Sequence, residues 1–164
     1  MSVDTIEKLL EEELKDLYSA ENQITKALPK MAKAAKSNEL RSAFEHHLKE
    51  TEGHVQRLEQ AFETLGKSAK GKTCEGIKGV LEEGERMLKE TQEGDVRDVA
   101  LISAAQRVEH YEMAAYGTVR SYAERLGKSQ VVQLLQKTLD EEKAADKKLT
   151  DISQHVYLRG QHAA

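Results

Sequence analysis

Residues 106–117 read QRVEHYEMAAYG, and their apolar positions recur with a helical period. On a helix turning by about 100° per residue, Val108 sets a direction shared by Leu101, Ala104, Ala115, Val119, Tyr122 and Leu126. Glu112 falls near the middle of that apolar stripe. A carboxylate buried there, charged and unpaired, would destabilise the fold by on the order of several kcal/mol. It needs a partner, and the place to look is the same depth on neighbouring helices.

The rest of the chain supports a bundle around that helix. Charged residues make up 33% of the 164 positions, aromatics 4%, and there is one proline. That profile suits helices and argues against a β-rich fold. No Pro/Gly/Ser-rich linker divides the chain, so residues 1–164 are expected to form one domain. The net charge is −4 with acids and bases interleaved, which argues against a nucleic-acid partner or an anionic membrane surface. A single cysteine, Cys74, excludes an internal disulfide framework. No signal peptide or long apolar run is visible, so a cytoplasmic location is expected.

Apolar residues at helical spacing predict helices over about 4–36, 38–66, 74–91, 95–127 and 130–157. Asp4 to Glu7 has the spacing of a capping box, and Ser37 and Ser129 are expected caps. Asp95 is the expected cap of the fourth helix, and Gly66 suits the end of the second. Pro29 removes one amide inside the first helix and predicts a kink rather than a break. Gly53, inside the second, suggests close approach of a neighbouring helix or a ligand. The 74–91 helix is short and glycine-rich, and reads as the crossover between two helix pairs. Shifted by 91 positions, the halves overlay weakly: Glu21 falls on Glu112, Leu48 on Leu139 and Thr51 on Glu142.

Every long helix carries polar residues near its midpoint. The first has Glu21, between Leu17 and Ile24. The second has His47, Glu50 and His54, three and four apart along the edge of its apolar face. The fourth has Glu112 with Glu109 one turn before, off the stripe centre but able to reach back. The fifth has Glu142 and, one turn later, Asp146. One glutamate on a stripe is usually a mis-phased surface residue; four at matching depth are not. In an antiparallel bundle the midpoints share a level, and packed carboxylates would repel until protonated. Two divalent cations would neutralise about four of them, which is how di-iron and di-manganese bundles are built. Oxygen and imidazole donors suit iron or manganese, with zinc as a crystallographic substitute. His46 and His110 are expected in solvent, Tyr18 and Tyr111 as packing aromatics, and Cys74 as a small buried residue.

The segments Leu17-Tyr-Ser-Ala-Glu21, His47-Leu-Lys-Glu-Thr51, Val108-Glu-His-Tyr-Glu112 and Asp140-Glu-Glu-Lys-x-x-Asp146 resemble the YciE/YciF family of stress-associated bacterial proteins. The resemblance spans about residues 4–157. It implies an all-α, ferritin-like and rubrerythrin-like antiparallel four-helix bundle with an additional short crossover helix. It also implies a homodimer and a dinuclear metal site. The ferritin-type Glu-x-x-His is absent: the second helix offers Glu50-x-x-x-His54 or His47-x-x-Glu50, and Ala145 stands where the fifth would carry a histidine. The expected function is a stress-response metalloprotein whose carboxylate-bridged iron or manganese pair reacts with oxygen or peroxide. The alternative is a non-catalytic dimeric bundle acting through its surface.

Overall fold

The structure, a computed structural model, describes residues 2–70 and 72–161. It comprises α1 (Ile6–Ala34), α2 (Asn38–Leu65), α3 (Glu75–Glu90), α4 (Asp95–Arg125) and α5 (Ser129–Gln161), with no strand among the described residues. Helices start where a side chain can satisfy a free amide. Ser37 Oγ accepts from the Leu40 amide, as expected, and Cys74 Sγ accepts from the Ile77 amide. At α1 the cap is Thr5, not the Asp4 box: its hydroxyl accepts from the Lys8 amide, while Asp4 pairs with the Lys8 ammonium. At α4 the cap is Gly94, at φ 133°; Asp95 is already helical, where its charge favours the helix N-terminus. Ser129 is likewise inside α5 rather than before it. Gly66, at φ 66°, closes α2 in the left-handed conformation.

α1 continues through Pro29, which lies on the exposed face. The close approach expected at Gly53 does not occur: a Cβ there would meet nothing nearer than the Arg57 guanidinium, at 3.7 Å. It occurs at Gly76, where a Cβ would lie 2.6 Å from the Tyr111 hydroxyl.

Cross-helix contacts fix the directions. Glu21 meets His54 and Tyr18 meets Glu59, so α1 and α2 are antiparallel. Gln106 reaches Thr150 and His110 reaches Asp146, giving the same relation for α4 and α5. His54 and Arg57 pair with Glu141, and His155 with Glu39, which makes α2 and α5 antiparallel. α2 and α4 therefore run the same way, and the chain must travel back along the bundle between them. α3 does this, packed on α4 and α1. This is the antiparallel four-helix bundle with a crossover helix.

The apolar core is split in two. One part holds Ile24, Leu28, Leu40, Phe44, Leu101, Ile102 and Ile152; the other holds Leu10, Leu14, Leu17, Leu58, Phe62, Val119 and Leu135. Between them lies a layer of buried polar side chains. No helix among the described residues is long and apolar enough to cross a membrane.

Candidate metal centre

Four helices feed the polar layer. α1 contributes Glu21, α2 His47 and His54, α4 Glu109 and Glu112, and α5 Glu142. Glu21, His54, Glu112 and Glu142 are 0% exposed, Glu109 2% and His47 5%. Ligand atoms of His47, Glu109, Glu112 and Glu142 lie within 4.8 Å of one another; those of Glu21, His54 and Glu142 form a second such group. Glu142 belongs to both.

Two of the eight expected residues are elsewhere. Along α2 the buried line is Leu40, Phe44, His47, Thr51, His54 and Leu58, so Glu50 stands beside it, half-buried. Its carboxylate lies 3.2 Å from Nδ1 of His47 instead of entering the layer. Asp146 sits at the edge of α5 facing α4, where the Gln106 amide donates to it and the His110 ring lies 3.2 Å away. Neither belongs to the groups that could hold an ion.

Each histidine is gripped from outside and open toward the centre. His54 Nε2 lies 3.0 Å from Glu141 Oε2, and Arg57 clamps Glu141 with contacts of 2.8 and 2.7 Å. A carboxylate so held can only accept, so this ring nitrogen carries the proton. Nδ1 then faces Glu142 at 2.9 Å and Glu21 at 3.3 Å. His47 is the counterpart: Nδ1 is taken by Glu50, and Nε2 faces Glu109 at 3.1 Å and Glu142 at 3.6 Å. The inward contacts are close enough for charge pairing but are not aligned as hydrogen bonds.

The inward atoms are orphans. Glu21 Oε2, Glu109 Oε2, both oxygens of Glu112, both of Glu142, Nε2 of His47 and Nδ1 of His54 are buried without a hydrogen-bond partner. Such groups are rare in folded proteins, and each is costly. Charge shows the same stress. Burial, then Glu142 and Glu21, push the Glu112 carboxyl far above the usual range. Burial and Glu109 push Glu142 up as well. Burial works against the charge on His54, but Glu142 and Glu21 outweigh it and raise the ring to about 10. His47 is raised the same way, with Glu109 overcoming burial. Glu109 is lowered despite burial because His47 stands against it. Without a cation, the layer would be held by protons. The buried glutamates and histidines form clusters able to bind a metal ion.

A family model described as a domain of unknown function, DUF892, matches residues 5–160. The chain belongs to the DUF892 family. Protein YciF of Escherichia coli (strain K12) is 45% identical over 154 residues, 93% of each chain. The crystal structure of the E. coli stress protein YciF superposes with a TM-score of 0.91 at 44% identity, covering 94% of this chain and 98% of that one. YcfI of Rhodopseudomonas palustris gives 0.89 at 43% identity, with 91% and 95% covered. A Xanthomonas campestris protein at 19% identity and TM-score 0.76 shares the fold. The motif resemblance to the YciE/YciF family is thus shown, and the helical bundle matches the YciF crystal structure.

Three side chains around the centre escaped the sequence reading. Tyr116, fully buried, donates its hydroxyl to Glu21 Oε1 at 2.5 Å. Arg57 and Glu141 form the clamp on His54. Tyr116 follows Glu112 by four residues, one turn along the same face, and that spacing was the available signal. Tyr18 is an edge-on neighbour of Phe62, a packing aromatic as expected. His46 is exposed, and so is His110 apart from its contact with Asp146.

Proposed function

We propose that the protein is a metalloprotein in which Glu21, His47, His54, Glu109, Glu112 and Glu142 hold two divalent ions, iron or manganese, for chemistry with oxygen or peroxide. The observation that carries this reading is the set of buried oxygens and ring nitrogens that face inward with no partner. The donors fit such a pair. Four carboxylates balance two divalent charges, and two imidazoles complete the inventory of the carboxylate-bridged bundles. The distribution is this chain's own: α2 supplies both imidazoles, and Glu109 on α4 supplies the carboxylate that Glu50 does not. Bound iron or manganese would supply one-electron redox chemistry.

The protein's residues do the rest. Glu50 and Glu141 fix the rings so that one nitrogen of each points inward. The Tyr116 hydroxyl donates to Glu21 Oε1, and Glu21 Oε2 is left buried without a partner. The apolar clusters pack on either side of the layer. The experiment is anaerobic loading with iron(II), removal of excess, and elemental analysis. About two irons per chain and a visible absorption band on admitting air are expected. Metal-free protein with unchanged thermal stability would refute the reading.

A further inference from the structure

A cavity of about 490 Å³ opens between α2 and α5, within the size range of small-molecule sites. Phe44, Ala144, Ala145 and Leu149 form its apolar walls, and His47 and Glu109 lie at its floor. Both floor residues are more than nine-tenths buried, and Glu109 Oε2 and His47 Nε2 have no hydrogen-bond partner. Neither Glu21 nor His54 lines it. On their side Tyr116 and the Arg57–Glu141 clamp close the layer. The two halves of the centre are therefore unequal: one is sealed and one is open to a roomy, greasy pocket. Oxygen and peroxide need far less space than this.

We propose that the cavity binds a small monocarboxylic acid with an apolar body, its carboxylate directed to the ion on the His47–Glu109 side and its body along Phe44 and Leu149. The proposal rests on the dinuclear reading above. Hard divalent ions take oxygen donors, and an anionic oxygen competes with water where a neutral one does not. At the mouth Lys148 lies 3.8 Å from Glu39 and His46 lies 3.5 Å from Glu50, so recognition rests on the ion and on the apolar body. Ala145 is the small residue that leaves the space open, on the same face as Glu142 and one turn from it.

The test uses full-length protein loaded with cobalt(II), whose visible spectrum reports added ligands. Benzoate and acetate, sharing a head but not a body, are titrated in turn. Benzoate is expected to bind at least about tenfold tighter than acetate. Ala145→Phe, which fills the pocket, is expected to keep the cobalt content and lose the preference. Ala43→Leu fills the same pocket from α2 and serves if the first variant folds poorly. Equal binding of the two acids, or a preference that survives both variants, would overturn the proposal while leaving the dinuclear reading intact. Failure to take up cobalt would overturn both.

Discussion

Glu50 on α2 and Glu141 on α5 occupy equivalent places in the two hairpins, 91 positions apart, and act alike on the two imidazoles. Glu50 lies 3.2 Å from the outer nitrogen of His47, and Glu141 lies 3.0 Å from the outer nitrogen of His54. Neither carboxylate enters the centre. Both determine which ring nitrogen does.

Breaking either grip should loosen metal without abolishing the site. Outer hydrogen-bond partners of a ligating histidine typically contribute about 10–100-fold in affinity. Glu141→Ala and Glu50→Ala are each expected to weaken binding by about that factor at an unchanged two ions per chain. Glu109→Ala is expected to lose one ion outright. Competition with a calibrated chelator measures both quantities, and an Glu50→Ala variant that loses an ion would place Glu50 inside the centre instead.

Glu112 should act in opposite directions in the metal-free and loaded states. Its burial and its neighbours disfavour its charge. Glu112→Gln removes that burden, so the metal-free variant is expected to be more stable than the parent at pH 8, by ~1–3 kcal/mol. The same change should erase the stabilisation that metal confers. Urea denaturation with and without chelator separates the two, and a variant destabilised in both states would contradict the account.

Stability of the metal-free protein should fall with rising pH. Glu112 and Glu142 have folded values above the ordinary 4.5, so the folded state retains protons that the unfolded chain gives up. Their favourable contribution is complete below 4.5 and is lost as pH rises through the raised folded values. His54, raised from 6.5 to about 10, contributes fully below 6.5 and loses that contribution through about 10. Glu109 has the reverse sign, its contribution fading as pH falls through its lowered value. Metal affinity should climb over the neutral to alkaline range, because protons on these groups must leave. Denaturation curves from pH 5 to 10, and proton release on titration with manganese(II) in weak buffer, test both slopes.

Gly76 and Gly53 should respond in opposite ways to alanine. A Cβ at Gly76 would lie 2.6–2.9 Å from the hydroxyl and two ring atoms of Tyr111, which also touches Cys74 and Asp16. Gly76→Ala is expected to destabilise by ~1–3 kcal/mol through displacement of that ring. Gly53→Ala places its methyl in ordinary contact inside a helix and is expected to stabilise by ~0.5–1 kcal/mol. Thermal melts of the two variants decide this.

The helices, the Gly66 and Ser37 caps and the three central glutamates were legible because each follows from local spacing. The misses on α4 share a cause: a helix touched on two sides has two apolar directions. The Val108 stripe on α4 points partly at α3, whose Val80, Leu81 and Leu88 cover Leu101, Ala104 and Val108. The face turned to the bundle centre carries Asp98, Ala105, Glu109, Glu112, Tyr116 and Ala123, about 70° away on average. Measured from Val108, Glu109 therefore looked marginal and Tyr116 went unnoticed. On α2 the edge position of Glu50 and the inward position of Thr51 differ by one residue, and only the packed neighbours separate them. Arg57 and Glu141 come from different helices, so no spacing within one segment could pair them.

Six side chains from four helices are expected to meet because cations belong between them. Crystals grown with manganese(II) and measured for anomalous scattering test it directly. Two peaks are expected in the bundle core, about 3.5–4 Å apart, bonded to Glu21, His47, His54, Glu109, Glu112 and Glu142. Peaks confined to surface carboxylates, with the core side chains bonded only to one another, would contradict it.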